Sequence, residues 1–142
     1  MFETVAVGTD GSATAAKAVA AALELAERFG ARLVVLSAFD SGSGAAAPRL
    51  APEAYPEWAS NAAVQVERIL ASAEETAAER GIECGTAMAE GEPGAVLVEL
   101  AEKHGADVLV VGSKGMERRV LGSVPNTVTH KAPCSVLVVK TT

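Results

Sequence analysis

Apolar positions in this chain follow two rhythms, and their alternation lays out the elements. Residues 4–9 (TVAVGT) form a short β-branched run that ends at Asp10-Gly11-Ser12, a turn and N-cap cluster, which reads as strand then helix. Behind it Ala15, Val19, Leu23, Ala26 and Phe29 recur at helical spacing, and Gly30 supplies a stop. Residues 32–39 (RLVVLSAF) predict a second strand. Its unbroken Leu33-Val34-Val35-Leu36 core suits a strand covered by helices on both faces. A helix is predicted over 57–80, with Ala63, Val66, Ile69, Leu70 and Ala73 on one face, Tyr55 and Trp58 anchoring its start, and Gly81 closing it. A weaker strand over 82–89 follows, then a helix opened by Pro93 that runs to His104, with Gly105 at its C-cap. Residues 107–111 (DVLVV) predict a fourth strand, 123–131 a short helix and 135–139 (SVLVV) a fifth strand.

Five apolar strands alternating with helices predict an α/β fold, a doubly wound, mainly parallel sheet, because parallel neighbours need helical crossovers. At 142 residues the chain is the size of one domain. The segment 40–56 is rich in Gly, Ala, Ser and Pro without periodicity, and reads as a mobile loop, either a lid or plain disorder. In sheets of this class ligands sit beyond the carboxyl ends of the strands, where the strand order reverses. That rule selects two turns, residues 8–12 after the first strand and 112–115 after the fourth.

Charge narrows the choice. The formal net charge of -6 argues against a broad nucleic-acid surface, which rests on a basic patch. From Gly112 onward, however, five cations (Lys114, Arg118, Arg119, Lys131, Lys140) face one acid, Glu117, while the 111 residues before them carry seven cations and seventeen acids. A basic segment in an acidic chain points to a local anion site. No apolar run reaches the roughly 18 to 20 residues that a membrane span needs, and the first residues lack a secretory pattern, so a cytoplasmic protein is expected. Cys84 and Cys134 stand apart from any CxxC or His cluster and read as reduced, buried or half-buried thiols, with no metal expected. His104 and His130 fall near predicted helix C-termini, where a cation is mildly favourable.

The candidate chemistry lies in Gly112-Ser113-Lys114-Gly115 through Gly122-Ser123-Val124. Glycines there let the backbone approach a ligand and adopt positive φ, turning amide N–H groups toward an anion. Ser123 is expected as the N-cap of a helix whose free amides and dipole favour phosphate, and Pro125 in its first turn sacrifices no hydrogen bond. Spacing alone equally allows an ordinary glycine-rich βα turn. Asp10 fits either a ligand contact or an Asx-turn, and Lys114, Arg118 and Arg119 either neutralise phosphate or are simply solvated. Met116 reads as an ordinary packing residue.

The stretch VLVVGSKGMERRVLGSVPNTVTHKAPCSVLVVK, the opening VAVGTDGS and the segment GADVLVVGSKG together resemble the universal stress protein family along essentially the whole chain. In nucleotide-binding members the C-terminal signature is Gly, two residues, Gly, nine residues, Gly, then Ser or Thr. The resemblance implies a Rossmann-like, five-stranded fold of the adenine nucleotide alpha hydrolase type. It also implies a homodimer through the C-terminal strand, a regulatory stress-response role, and ATP or another adenine nucleotide (ADP, AMP or cAMP) as ligand, with Mg as a companion ion. Carried over by position, Asp10 lies near the ribose or adenine, the backbone of Ala38 faces the adenine edge and Val111 packs on the ring. Gly112, Gly115, Gly122 and Ser123 hold the phosphates and Val124 adds its backbone amide; beside that pattern, the loop cations Arg118 and Arg119 are expected to add charge of their own. One departure stands out: six residues, not nine, separate Gly115 from Gly122. The missing amides and reach should weaken the grip on outer phosphates.

The rival reading is a member of the same family that binds no nucleotide and works as a dimeric interaction module. An enzyme is less well supported, at most a slow ATP hydrolase, since there is no Walker lysine motif and no second carboxylate beside Asp10. Aromatics are only 4%, and none falls in either switch-point turn, which speaks against an FMN carrier. A receiver domain would need clustered acids at the strand ends.

Overall fold

The computed structural model describes residues 2–40, 57–113 and 122–141, with side chains in the second long helix described from Ala62 onward. The expected loop at 40–56 lies outside these residues except for Asp40, as do Tyr55 and the Trp58 side chain. The elements run β1 (Thr4–Gly8), α1 (Ala13–Phe29), β2 (Arg32–Phe39), α2 (Glu57–Glu79), β3 (Cys84–Glu90), α3 (Pro93–Lys103), β4 (Val108–Gly112), α4 (Ser123–Lys131) and β5 (Ser135–Val139). All pairings are parallel, in the order β3-β2-β1-β4-β5. The fold is therefore the expected Rossmann-like α/β sheet, and its order reverses between β1 and β4.

Period-two alternation in the central strands divides the core into two layers. Val5, Val7, Leu33, Val35, Val108 and Val110 meet α1 and α2 through Ala18, Ala22, Leu23, Val66, Leu70 and Ala77. Ala6, Val34, Leu36, Leu109 and Val111 face the other way, onto Val96, Leu97, Leu100, Ala101 and Val128 of α3 and α4. Each fully buried Val or Leu contributes about 1.5–3 kcal/mol relative to leaving it in water. No helix among the described residues is long and apolar enough to cross a membrane.

Several expectations shift by a residue or two, each for a local reason. The buried stripe of α1 uses Ala18 and Ala22 alongside Leu23 and Ala26, whereas Phe29 is 53% exposed and meets Phe2 edge-on at 5.4 Å. Small alanines allow α1 to lie close against β1 and β4. Ile82 does not begin β3, because its amide closes α2 by donating to the Ala77 carbonyl at 2.9 Å, after Gly81 at φ 70. Asp107 precedes β4 and serves as a clamp. Its Oδ2 accepts from the amides of Glu3 and Thr4, both at 2.9 Å, joining the starts of β1 and β4.

Candidate functional site

Beyond the carboxyl ends of β2, β1 and β4 lies a cavity of about 430 Å³, within the usual range of about 300–1,000 Å³ for small-molecule sites. The amino ends of three helices converge on it. Ser12, Thr14 and Ala15 come from α1, Pro93 and Leu97 from α3, and Gly122, Ser123, Val124 and Pro125 from the start of α4. Of the expected residues, Asp10, Ala38, Val111, Gly112, Gly122, Ser123 and Val124 all line this cavity. Gly115, Arg118 and Arg119 lie outside the described residues, as do Lys114 and Met116.

The β1 to α1 turn satisfies its own backbone. The Thr9 amide donates to the Leu36 carbonyl at 3.0 Å, and the Ser37 hydroxyl, 1% exposed, donates to the Thr9 carbonyl at 2.6 Å. The Gly11 amide donates to Thr9 Oγ1 at 3.1 Å and the Ser12 amide to Asp10 Oδ1 at 2.9 Å. Asp10 thus forms an Asx-turn while also lining the cavity. Ser12 caps α1 by accepting from the Ala15 amide at 3.1 Å. Gly11 is required here, with φ 79 and no room for a Cβ beside Ile69. At the start of α3, Glu92 caps in the same manner, accepting from the Gly94 and Ala95 amides at 3.1 and 2.8 Å.

The start of α4 differs. Gly122, not Ser123, is the N-cap, with ψ 168 and its carbonyl accepting from the Asn126 amide at 3.0 Å. That places Ser123 inside the first turn, so it does not cap the helix as the sequence suggested. Among the described residues no side chain caps α4, and Pro125 has no amide hydrogen, which leaves the Ser123 and Val124 amides as the first-turn donors at the cavity. A phosphate oxygen is a suitable acceptor, favoured further by the helix dipole.

Gly112 also departs from expectation. Neither Gly112 nor Gly122 has positive φ; Gly122 sits at φ -61. A Cβ on Gly112 would lie 3.0 Å from the methyl carbon of Thr141, so close packing against the segment after β5 favours the glycine. The Ser113 amide is spent on the Val139 carbonyl at 2.9 Å and does not join an anion cradle. Pro93, Leu97, Thr14 and Thr141 are cavity residues that sequence reasoning missed, whereas Ser12 falls in the first of the two selected turns. Only the hydroxyls just after Asp10 carried a local signal. Pro93 and Leu97 arrive through the packing of α3, and Thr141 lies nearly thirty residues beyond Gly112.

Both cysteines are half-buried and free, as expected. Burial, with the charge of Glu74 adding to it, pushes the Cys84 thiol up to about 11, and burial raises Cys134 above its ordinary value. Neither thiol is a thiolate nucleophile at neutral pH. Among the described residues no group of three or more His, Cys, Asp or Glu is arranged to hold a metal ion.

Comparison with known proteins agrees with this geometry. Residues 1–140 match the family model described as the universal stress protein family. Universal stress protein YxiE of Bacillus subtilis is 35% identical over 149 residues, covering 99% of this chain and all of that protein. Universal stress protein Rv1636 of Mycobacterium tuberculosis is 36% identical over 147 residues, covering 99% and 98%. A solved universal stress protein in complex with cAMP superposes with a TM-score of 0.75 at 32% identity, covering 99% of this chain and 98% of that one.

Proposed function

Because the chain belongs to the universal stress protein family, we propose that it is a cytoplasmic regulator of the stress response that binds an adenine nucleotide in the switch-point cavity. The observation that carries this reading is the start of α4, which no side chain among the described residues caps and which opens onto the same cavity as Asp10, Ala38 and Val111. The apolar end, with Ala38, Val111, Pro93 and Leu97, suits the base, and the Ser123 and Val124 amides suit phosphate. The cAMP complex of a relative 32% identical supports the same ligand class. Mg enters only as a companion of a di- or triphosphate.

Calorimetric titration with AMP, cAMP, ADP and ATP at fixed salt, with and without Mg, tests the reading. We expect binding of all four, and a preference for ATP over AMP below a hundredfold, because only six residues separate Gly115 from Gly122. A larger preference would show that the short loop still grips the triphosphate. No binding at millimolar concentration would favour the interaction module that needs no nucleotide.

A homodimer through β5 belongs to the same reading. This strand forms one edge of the sheet, and Leu137 on it is 41% exposed, whereas Val136 and Val138 pack toward the α3 and α4 layer. Leu137→Lys should therefore shift the sedimenting species from dimer to monomer at micromolar concentration without unfolding the chain. A wild-type monomer would end the dimer proposal.

A further inference from the structure

After β5 the chain crosses the carboxyl end of β4 and is fastened there. The Thr141 amide donates to Ser113 Oγ at 2.9 Å, and Lys17 of α1 donates from Nζ to the Thr141 carbonyl at 3.3 Å. Ser113 is 1% exposed and Thr141 3%, yet Thr141 forms part of the cavity wall while Ser113 does not. The two hydroxyls lie 3.4 Å apart, and this one contact, long for an O–H···O bond, can use only one of their two hydrogens. Neither hydroxyl finds another acceptor among the described residues. When Ser113 donates to Thr141 Oγ1, the spare hydrogen belongs to Thr141, at the cavity wall.

Given a nucleotide in this cavity, as proposed above, we infer that the Thr141 hydroxyl donates a hydrogen bond to a phosphoryl oxygen of the ligand. Position supports this. Ala38 lies near the end of β2 and Thr141 lies over the end of β4, against Gly112, which places them two strand spacings apart, about 10 Å. A base near Ala38 therefore puts its phosphate toward Gly112, the start of α4 and Thr141. With Ser113 as the donor of their shared contact, the remaining Thr141 hydrogen is best matched by an anionic oxygen, and Lys17 adds positive charge beside it. Thr141 thus has two roles: its methyl packs against Gly112, and its hydroxyl completes the phosphate end of the site.

The test compares AMP and adenosine binding to the full chain carrying Thr141→Val, which keeps the branched shape and removes the hydroxyl, and Thr141→Ser, which keeps the hydroxyl. We expect the ratio of AMP to adenosine affinity to fall about tenfold in Thr141→Val and to stay within twofold of wild type in Thr141→Ser. Each ratio is internal to one variant, so a general loss of stability does not mimic it. Should Thr141→Val fail to fold, Thr141→Ala supplies the same comparison. An unchanged ratio in the variants lacking the hydroxyl, with wild type still binding AMP, would overturn the role of Thr141 and leave the nucleotide reading intact. Absence of AMP binding to wild type would overturn both.

Discussion

The two turns that flank the switch point are opposites. Between β1 and α1, Thr9, Asp10 and Ser12 consume the local amides with their own oxygens, and the helix begins capped. Between β4 and α4 the N-cap is a glycine with no side chain to offer. One turn is a finished surface that shapes the cavity, while the other presents donors that find no acceptor among the described residues. Since α1 and α3 are both capped by side chains, the missing cap on α4 is not a general property of this sheet. Ligand affinity should therefore be concentrated at α4 and stability at α1.

The sharpest way to break this contrast is to make the second turn resemble the first. Gly122→Asp supplies a carboxylate N-cap that competes for the first-turn amides and repels phosphate. Calorimetry should show nucleotide affinity falling by more than a hundredfold, about 2.7 kcal/mol, while thermal stability holds or rises by a few tenths of a kcal/mol. Retained affinity would remove the start of α4 from the site.

A second variant shifts α4 without altering its cap. A Cβ on Gly94 would lie 2.7 Å from the Cβ of Thr127, so Gly94→Ala should force α3 and α4 apart. Unfolding in urea should reveal a loss of about 2 kcal/mol, together with weaker nucleotide binding as the donors move. The smallest effect is expected at the finished turn. Ser12→Ala removes the α1 cap and should cost about 1 kcal/mol of stability, seen as a few degrees in melting temperature. Its effect on nucleotide affinity should be well below that of Gly122→Asp, and the reverse ranking would dissolve the comparison.

The fold was largely legible because strand and helix periods are local. Leu33 to Leu36 announced a strand buried on both faces, and the switch-point rule then located the cavity from topology. What stayed hidden depended on contacts between distant segments. On α1 the expected Leu23 and Ala26 are buried, but Phe29 is not, and packing against β1 and β4 adds Ala18 and Ala22. Gly112 looked like a ligand-approach glycine, yet its nearest demand is the Thr141 methyl, a neighbour that spacing does not reveal. Ser123 lost the capping role by one residue, a shift that decides whether α4 supplies its own acceptor or awaits one.

Asp107 joins the amides of Glu3 and Thr4 to the start of β4 across more than a hundred residues of sequence. The cavity at the other end of those two strands exists only while they remain paired. A ligand held there is released by any opening that separates β1 from β4, so its binding energy opposes such openings in full. At a hundred times the dissociation constant that amounts to about 2.7 kcal/mol. Where degradation proceeds through the opened chain, resistance to proteases should then lengthen by up to about a hundredfold. The abundance of the protein would record how much nucleotide it had met, a memory kept in lifetime instead of shape.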